Sequence, residues 1–410
     1  MAVGAVAIIG ASVAGATAAA TLRERGYDGP IALLGEETLP PYERPPMSKE
    51  YLRGEQPFER ALVRDPDWYE QHGIEIRLGV RAERLDLDGP GRAVVLAGGE
   101  RVPFDRAVIA TGARNRRPAA IPGLDLPGVL DLRTPADADA IREASGGGAR
   151  VAVVGMGFIG SEVAASLRSL GADVTAVDVF DVPLQRALGR EVGAVMGAIH
   201  RDHGVELVMS DAVARLEGGS RVEAVVTASG RAIPCDVAVI GLGVQPNVEP
   251  ALASGLAVDD GVLVGPALET SAPGVFAVGD VARHEHPLFG PIRVEHYDNA
   301  IKMGEAVAGS VLGDPAPHED PHWFWSDQYD VNLQVAGIPG RDEETVLRGS
   351  VEARSFARFE LAGGRLMAAI GLDRGRDIRR ALKLIGRAVD PAALRDEDVD
   401  LRTLASPAEE

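Results

Sequence analysis

A glycine-rich turn that occurs twice, each time directly after a short apolar run, constrains the fold of this chain more than any other feature. The first turn follows the run Ala5–Ile9, and the second follows Val151–Val154. The two turns read Gly10-Ala11-Ser12-Val13-Ala14-Gly15 and Gly155-Met156-Gly157-Phe158-Ile159-Gly160. In a dinucleotide-binding βαβ unit, the first glycine makes the tight turn, the second lets the pyrophosphate approach the backbone, and the third lets the helix pack on the strand. The spacing therefore predicts two dinucleotide sites, with Ser12 in place of one glycine.

Each predicted site also has an acidic residue at the end of the strand that follows its helix. Glu36 follows the apolar run Ile31–Leu34, and Asp178 follows the run Val174–Val177. A carboxylate at this position accepts hydrogen bonds from ribose hydroxyls. Asp181 places a second carboxylate near Asp178, and the two together would repel the 2′-phosphate of NADPH. The second site is therefore predicted to prefer NADH.

The composition is typical of a soluble globular protein and excludes several classes of function. The 410 residues predict two or three domains, and the formal net charge of −19 argues against general affinity for nucleic acid. Cys235 is the one cysteine, so a redox pair within the chain is excluded, and a buried side chain is expected. No basic residue precedes Arg23, and no stretch has the length and apolar character of a membrane span. We therefore expect a cytoplasmic protein.

Two further strand ends have residues suited to a bound dinucleotide. One predicted strand ends in Thr111 and Gly112, whose small size lets a dinucleotide lie close to the backbone. The other ends at Asp280, whose carboxylate can accept a hydrogen bond from a hydroxyl group of the cofactor. Tyr297 lies at the beginning of a predicted helix whose N-terminus can stabilise negative charge on the same cofactor. These segments are expected to complete the first dinucleotide site.

The loop 40–49 is expected to be stiff, because it contains four prolines. Such a loop could hold Arg44 and Lys49 against a cofactor. Ser48 is a possible N-cap for a helix that would begin there. Farther along the chain, Thr134 followed by proline predicts the beginning of another helix.

The predicted elements define a fold class and three domains. The class is α/β, with two Rossmann-like, three-layer dinucleotide-binding domains followed by a C-terminal α+β domain. The predicted boundaries are 1–113 with 245–320 for the first, discontinuous dinucleotide-binding domain, 114–244 for the second, and 321–410 for the C-terminal domain. The aromatic cluster at 322–329 could be core or a wall of the first cofactor site, and both alternatives are open.

Four motifs give the chain a resemblance to a known group of flavoproteins. They are Arg44-Pro-Pro-Met-Ser-Lys49, Leu132-Arg-Thr134, Gly157-Phe-Ile-Gly-Ser-Glu162 and Trp323-Phe-Trp-Ser-Asp-Gln328. The chain resembles the glutathione-reductase-like flavoproteins and, within them, the NADH-dependent ferredoxin reductases of oxygenase systems. The resemblance covers essentially the whole chain, and Ser12 is its one departure from the common pattern.

The resemblance and the motifs together imply two cofactors and the residues that bind them. The residues expected at FAD are Gly10, Ser12, Ala14, Gly15, Glu36, Arg44, Lys49, Ala82, Thr111, Gly112, Arg133, Asp280 and Tyr297. The residues expected at NADH are Gly155, Gly157, Ile159, Gly160, Asp178 and Gly243. The resemblance also implies that Lys49 and Glu162 pair beside the flavin, with no side-chain nucleophile and no metal.

The implied partner is a two-iron ferredoxin that feeds a haem monooxygenase or a Rieske-type oxygenase. Such ferredoxins are typically acidic, so a local basic patch is needed on this acidic chain. One candidate patch is the basic segment that contains Arg374, Arg376, Arg379, Arg380, Lys383 and Arg387. Within it, Arg376, Arg380, Lys383 and Arg387 lie at helical spacing, which predicts one helical face. A second candidate patch is formed by Arg114, Arg116 and Arg117. We expect a monomer or weak homodimer that binds neither nucleic acid nor membrane.

Three alternative functions remain open on the same fold. The chain could reduce rubredoxin or another electron carrier, as in nitrite-reductase systems. It could be an NADH oxidase that makes peroxide, although the first predicted domain has no cysteine for such chemistry. It could also be an NADH-responsive interaction protein of the kind represented by the apoptosis-inducing factors.

Overall fold

A computed structural model of the chain describes residues 3–88 and 91–404. These residues form two compact units, each built from three segments of the chain. The first unit comprises the described residues of Met1–Glu43, Glu59–Arg114 and Val244–Asp320, and the second unit those of Arg44–Phe58, Asn115–Gly243 and Pro321–Glu410. The three-domain boundaries given above stay a prediction.

The first unit is built on a parallel sheet whose central strand is Val6–Ile9. Its strand order is Val275–Ala277, Arg106–Ile109, Val6–Ile9, Ile31–Leu34 and Ile74–Arg77. Val6 pairs with Ile31 on one side and with Arg106 on the other, in parallel register. All four residues of the central strand are buried. This burial on both faces explains why the strand is a continuous apolar run in the sequence.

Helices and smaller sheets complete the first unit. Its helices are Val13–Glu24, Pro66–Gln71, Glu249–Ala253 and Tyr297–Leu312, with a 3-10 turn at Gly279–Val281. One small sheet contains Ala82–Asp86, Ala93–Leu96 and Arg101–Pro103, and another contains Val262–Val264, Ala282–His286 and Gly290–Ile292. The strands Ala113–Asn115 and Val244–Pro246 and the 3-10 turn Phe58–Ala61 lie where the chain changes units. The alanines of Val13–Glu24 pack into the same core as the central strand.

The second unit contains a parallel sheet of the same kind. Its strand order is Glu206–Val208, Asp173–Val177, Arg150–Val154, Val237–Ile240 and Val129–Asp131. Its helices are Pro135–Ala144, Phe158–Ser169 and Gln185–Asp202, and a small antiparallel sheet contains Val213–Gly218, Val222–Thr227 and Ala232–Pro234. The predicted cap at Thr134 is confirmed, because its hydroxyl accepts a hydrogen bond from the Asp137 N–H while the Asp137 carboxylate accepts one from the Thr134 N–H.

The C-terminal part of the second unit is an antiparallel sheet with short helices. Its strand order is Trp323–Gln328, Val331–Gly337, Arg365–Leu372, Ser355–Ala362 and Glu344–Ser350. The helices are Gly375–Ala381 and Pro391–Arg395, with 3-10 turns at Leu382–Leu384 and Leu401–Leu404. A further 3-10 turn, Pro45–Ser48, lies in the first segment of the second unit. The predicted α/β class, with two parallel-sheet domains of Rossmann type and a C-terminal α+β part, is therefore confirmed.

Two local predictions were wrong. No helix begins at Ser48, because Pro45 and Pro46 impose a single 3-10 turn that ends at that residue. The helix expected to carry the basic patch through Arg387 ends at Ala381, and the chain turns at Gly386, whose φ is +81°. Arg387 therefore does not share a helical face with Arg376.

Candidate functional site

The first glycine-rich turn has the geometry of an anion cradle in the first unit. Gly10 has φ +118°, and a Cβ there would lie 2.0 Å from the carbonyl oxygen of Ala110. A Cβ on Gly15 would lie 2.0 Å from the carbonyl oxygen of Gly10. The helix Val13–Glu24 begins with no side-chain cap from Ser12 and no acidic residue in its first turn. Its first N–H groups are thus suited to a phosphate, which fits the pyrophosphate of a dinucleotide.

The second glycine-rich turn lies in the second unit. Its fold requires glycine at two positions, 155 and 160, but not at position 157. Gly155 has φ +93°, and a Cβ on Gly160 would lie 1.9 Å from the carbonyl oxygen of Gly155. A Cβ on Gly157, in contrast, would meet no protein atom within 4 Å. The helix Phe158–Ser169 also begins without a side-chain cap or an acidic first turn. Packing does not explain Gly157, whereas close approach of a pyrophosphate would explain it.

The two acidic residues lie at the predicted strand ends but have different surroundings. Glu36 is exposed, one residue beyond Gly35. Asp178 is half-buried, and its carboxylate accepts hydrogen bonds from the backbone N–H groups of Met156 at 2.6 Å and Phe180 at 2.9 Å. Asp178 therefore fixes the glycine-rich turn to the end of its neighbouring strand. The sequence did not reveal this structural role.

The Thr111–Gly112 segment of the first unit is held by one asparagine. The Asn247 side-chain amide donates to the Thr111 carbonyl at 2.9 Å, and the Thr111 hydroxyl donates to the Asn247 carbonyl at 2.7 Å. The Asn247 N–H also donates to the carbonyl of Gly112 at 2.9 Å. These hydrogen bonds fix the strand end at which the sequence predicts a bound dinucleotide.

The other residues predicted at FAD in the first unit lie on separate elements. Ala82 is buried, and Asp280 lies in the 3-10 turn after Val275–Ala277. The Tyr297 hydroxyl donates to the Glu43 carboxylate at 2.6 Å, and burial together with this carboxylate raises the pKa of Tyr297. Glu43 was not predicted, although it directly precedes the Arg44 motif.

His296 is a second residue that the sequence did not single out. It is half-buried and immediately precedes the helix Tyr297–Leu312. Burial lowers the pKa of His296 to about 4, although the nearby charge of Asp280 acts in the opposite direction. The imidazole is therefore neutral near pH 7.

The remaining predicted residues belong to the second unit. Arg44 donates to the Arg133 carbonyl at 2.7 Å, so these two residues are brought together. Ile159 is 47% exposed on the first turn of its helix, and Gly243 is exposed with φ +84°. Their exposure leaves room for a ligand at the second glycine-rich turn.

Lys49 and Glu162 form a buried ion pair within the second unit. Lys49 Nζ lies 2.9 Å from Glu162 Oε2, and the two residues are 5% and 3% exposed. Lys49 Nζ also donates to the Pro45 carbonyl at 3.1 Å, so the 3-10 turn orients the ammonium. The pair implied by the resemblance is thus formed, and its role at a cofactor stays a prediction. Such a pair is costly to bury unless further hydrogen bonds satisfy it.

Two serines that the sequence analysis missed supply those hydrogen bonds. Ser48 donates to Glu162 Oε2, and Ser326 donates to Glu162 Oε1 at 2.7 Å. Both serines are buried. The only available signal was that each serine lies inside a motif of the resemblance.

The aromatic cluster forms the strand Trp323–Gln328 of the C-terminal sheet. Phe324 contacts Phe158 edge to face, with ring centroids 4.8 Å apart. Trp323 and Trp325 are half-buried and stack with centroids 5.2 Å apart. Phe324 is therefore part of the packing beside the second glycine-rich turn, and a role for the tryptophans at a flavin stays open.

A basic groove lies in the C-terminal part of the second unit. Its volume is about 590 Å³, and its charged lining residues are Arg376, Arg379, Arg380, Lys383 and Arg402. Asp400 pairs with Arg380 at 3.4 Å and with Arg402 at 2.5 Å. Arg376, Arg379 and Lys383 are exposed. The groove therefore keeps excess positive charge on a chain whose net charge is −19.

The second predicted basic group is largely paired. Arg114 lies 2.7 Å from Glu249, and Arg117 lies 2.6 Å from Asp131. Arg116 is exposed. This group is a weaker candidate for docking than the basic groove.

Cys235 is buried, as predicted, and burial raises the pKa of its thiol to about 11. A thiolate there is disfavoured near neutral pH. Within 3–88 and 91–404, no group of three or more metal-ligating side chains is placed to hold a metal ion. No helix of these same residues combines the length and apolar character that a membrane span requires.

The chain is similar to known reductases over nearly its whole length. Residues 4–304 match the family described as pyridine nucleotide-disulphide oxidoreductase, and residues 323–405 match the family described as reductase C-terminal. Rhodocoxin reductase of Rhodococcus erythropolis is 36% identical over 401 residues, which cover 97% of this chain and 93% of that relative.

Two further matches support the same relationship. The anthranilate 1,2-dioxygenase system ferredoxin–NAD(+) reductase component of Burkholderia cepacia is 39% identical over 402 residues, covering 97% of this chain and 98% of that relative. The crystal structure of a covalent putidaredoxin reductase–putidaredoxin complex matches with a TM-score of 0.94 and 33% identity, covering 98% of each chain.

Proposed function

The chain belongs to the pyridine nucleotide-disulphide oxidoreductase family, and from this membership we propose that it is an FAD-containing, NADH-dependent ferredoxin reductase. The observation that carries the proposal is the similarity to ferredoxin–NAD(+) reductase components along nearly the whole chain, including the C-terminal sheet. The electrons would pass to a two-iron ferredoxin that serves a haem monooxygenase or a Rieske-type oxygenase.

We assign FAD to the first glycine-rich turn and NADH to the second. The residues proposed for FAD are the ones that the sequence analysis predicts for this cofactor. They include Gly10, Glu36, Thr111 and Asp280, and also Arg44, Lys49 and Arg133 from the motifs at 44–49 and 132–134. NADH is assigned to Gly157, Ile159, Asp178 and Gly243. Support comes from the uncapped helix N-termini at both turns and from the open space over Gly157. When it is bound, FAD would supply the redox chemistry: it accepts a hydride from NADH and releases the electrons one at a time.

The side chains of this protein would then bind, orient and provide charge. Lys49 supplies a buried positive charge that favours negative charge on a group placed beside it. Glu162 orients the ammonium and compensates its charge when no such group is present. Cys235 takes no part, because it is buried with a protonated thiol.

The first experiment is an anaerobic titration of the purified yellow protein with NADH, followed by its visible spectrum. About one equivalent of NADH should bleach the flavin and produce a long-wavelength charge-transfer band. A colourless protein, or a coloured one that neither NADH nor NADPH bleaches, would contradict the proposal. Lys49→Ala should slow the bleaching without preventing FAD binding. An unchanged rate of bleaching would contradict a role for Lys49 in flavin reduction.

We place the ferredoxin on the basic groove, since Arg376, Arg379 and Lys383 present exposed positive charge there. Opposite charges across such an interface mainly accelerate encounter, and salt screens them. Reduction of cytochrome c through an acidic two-iron ferredoxin should therefore slow as ionic strength rises.

A double charge reversal, Arg376→Glu with Arg379→Glu, tests this placement. We expect at least about a tenfold loss in kcat/KM for ferredoxin at low salt, or about 1.4 kcal/mol. Bleaching of the flavin by NADH should be unchanged. Arg81→Glu with Arg84→Glu is a matched control, because both are exposed arginines of the first unit and the double reversal changes the net charge by the same amount. An equal loss in the control would show that net charge, and not the groove, directs the partner.

A further inference from the structure

A hydrogen bond joins two distant segments of the first unit. The Tyr297 hydroxyl donates to Oε1 of Glu43 at 2.6 Å, across 254 positions of the chain. Both residues are half-buried. This distance is typical of a hydroxyl that donates to a charged carboxylate, and such hydrogen bonds are about twice as strong as neutral ones. We call Glu43 and Tyr297 the Glu43 pair.

The helix that begins at Tyr297 packs against the first glycine-rich turn. A Cβ on Gly304, in this helix, would lie 2.7 Å from the carbonyl oxygen of Ala14. A Cβ on Gly279, which precedes Asp280, would lie 3.1 Å from Ala14 Cβ. The helix, the 3-10 turn of Asp280 and the glycine-rich turn therefore meet at Ala14. Tyr297 thus begins a helix that is packed directly on the site proposed for FAD.

Backbone hydrogen bonds hold Glu43 where the chain leaves the first unit. Its N–H donates to the Ala61 carbonyl at 2.7 Å, and the Val63 N–H donates to the Pro41 carbonyl at 2.9 Å. Glu43 is the last residue of the first segment of this unit. The pairing with residues 61–63 restrains the backbone of residues 41–43, so the Glu43 carboxylate is presented from a fixed position.

The charged groups in the first turns of the same helix are paired with other residues. Lys302 Nζ lies 2.8 Å from Asp298 Oδ2 and 2.7 Å from Asp320 Oδ1. In the part of the chain that the structure describes, the Tyr297 hydroxyl is the donor to the Glu43 carboxylate. The Glu43 pair is therefore a separate contact and not an extension of the Lys302 cluster.

The chemistry of the phenol limits what Tyr297 can do. Burial, together with the Glu43 carboxylate, raises the pKa of Tyr297, so the phenol stays protonated near neutral pH. A phenol has one hydrogen to donate, and here Glu43 accepts it. Tyr297 is therefore suited to hold its ring in a fixed position beside a cofactor, and its hydroxyl is not suited to deliver a proton to that cofactor.

We propose that Glu43 is a positioning residue that fixes the Tyr297 ring and thereby retains FAD in the first dinucleotide site. The inference rests on the proposed function, because it takes FAD as the occupant of this site. Without the hydrogen bond, the Tyr297 side chain would gain rotamer freedom, and the half-buried carboxylate would lose its donor. A bound flavin would then lie against a less rigid wall, and it should leave the site faster.

The rate at which the yellow protein releases FAD tests this proposal without NADH. Release after dilution is followed by the fluorescence of free FAD, at a temperature well below the Tm of every variant. Tyr297→Phe removes the hydroxyl alone, and Glu43→Met removes the carboxylate while keeping most of the side-chain volume. Each variant should release FAD about tenfold faster, which matches the loss of a hydrogen bond to a charged group. The visible absorption band of the bound flavin should shift as well.

Two comparisons separate the retention of FAD from general stability. The double variant, Glu43→Met with Tyr297→Phe, should release FAD no faster than either single variant, because both substitutions remove the same hydrogen bond. Tyr27→Phe is the control, because Tyr27 is a buried tyrosine of the first unit whose hydroxyl donates to the Gly4 carbonyl instead. It should change neither the release of FAD nor the flavin band, even where its Tm falls.

Three results would overturn the proposal: a release rate that Tyr297→Phe leaves unchanged, additive effects of the two substitutions in the double variant, or an equal acceleration in Tyr27→Phe. Should Glu43→Met not fold, Tyr297→Phe still tests the proposal, because it removes only one oxygen atom. A colourless unmodified protein, or one that NADH does not bleach, would instead contradict the proposed function. The two failures are distinguishable, because the release measurement starts from the yellow protein and needs no NADH.

Discussion

At the residue scale, the glycines of the second turn separate the requirements of folding from those of binding. A Cβ on Gly160 would collide with the Gly155 carbonyl, whereas a Cβ on Gly157 would meet nothing. Gly157→Val should therefore fold normally but occupy the space assigned to the pyrophosphate. We expect the KM for NADH to rise at least about tenfold, corresponding to about 1.4 kcal/mol, with little change in Tm.

Gly160→Ala is the matched comparison for this prediction. Its Cβ would lie 1.9 Å from a backbone oxygen, so helix and strand would have to separate. We expect a loss of about 1–3 kcal/mol in the free energy of unfolding, measured by urea denaturation. An unchanged KM for NADH in Gly157→Val would contradict the assignment of the dinucleotide to this turn.

The preference for NADH can also be tested at one residue. Asp181 pairs with Arg190 at 2.7 Å and accepts a hydrogen bond from Ser210 at 2.8 Å. Asp181→Asn removes a negative charge near the ribose position and leaves Arg190 free to meet a 2′-phosphate. The ratio of kcat/KM for NADH over NADPH should fall by about tenfold, or about 1.4 kcal/mol.

Asp202→Asn is the control for this substitution, since Asp202 pairs with Arg354 elsewhere in the second unit. It should not change the ratio. A ratio below one in the unmodified protein would contradict the predicted preference, and so would an equal change in both variants.

At the element scale, one arginine ties the C-terminal segment to its sheet. Arg348 belongs to the strand Glu344–Ser350 and is 4% exposed. Its guanidinium donates to the carbonyls of Leu394 at 3.3 Å, Asp396 at 2.6 Å, Glu397 at 3.1 Å and Val399 at 2.8 Å. One rigid group thus replaces the backbone partners that the segment after the helix Pro391–Arg395 lacks.

Arg348→Met should leave the buried Leu394 carbonyl and the partly buried carbonyls of Asp396, Glu397 and Val399 without this donor, while Asp377 keeps Arg374 as a cation at 3.7 Å. We expect a loss of about 1–3 kcal/mol in the free energy of unfolding. Hydrogen exchange of the amides in 394–399 should accelerate by a larger factor than exchange in the parallel sheets. Arg365→Met is the control, because the exposed Arg365 side chain donates to one carbonyl among the described residues, that of Gly386 at 2.9 Å.

The elements themselves were largely predictable, and the exceptions have local causes. The strands Ile31–Leu34 and Arg150–Val154 and the capped helix after Thr134 were found because apolar runs and caps are local signals. The helix expected at Ser48 failed because the two prolines allow a tighter turn. The basic helix was predicted too long, because spacing alone does not reveal where the chain changes direction.

At the scale of the whole molecule, the candidate sites were only partly predictable. The glycine-rich turns are contiguous in the sequence, so their geometry follows from their residues. Glu162 and its partners Ser48 and Ser326 are separated by more than a hundred residues, and a long-range contact of this kind leaves no periodic signal. The resemblance supplied Lys49 and Glu162, and the structure supplied the side chains that hold them.

The buried histidines make the stability of the whole molecule dependent on pH. In the first unit, the His284 ring lies 5.5 Å from that of His286 and 5.3 Å from that of His318. Burial, with repulsion between neighbouring rings, lowers the pKa of His284 to about 3 and that of His318 to about 4. In the second unit, the pKa of His200 is likewise lowered to about 4.

The sign of the effect follows from proton binding. A histidine in the unfolded chain has a pKa near 6.5. Between about pH 6.5 and pH 4, the unfolded chain therefore binds more protons than the folded chain. Acidification through this range therefore lowers the free energy of unfolding. Each such histidine should contribute a loss of about 2 kcal/mol between pH 7 and pH 5.

Urea unfolding at pH 7 and at pH 5 measures this loss, and His284→Leu isolates one contribution. His284 Nε2 has no hydrogen-bond partner among the described residues, so leucine removes a titrating group without breaking a bond at that atom. The variant should lose about 2 kcal/mol less than the unmodified protein over the same pH interval. His72→Leu is the control, since His72 is an exposed histidine of the first unit. A pH dependence that is equal in the unmodified protein and in His284→Leu would mean that the cluster takes up protons while folded, and acid unfolding would then have to originate in the carboxylates.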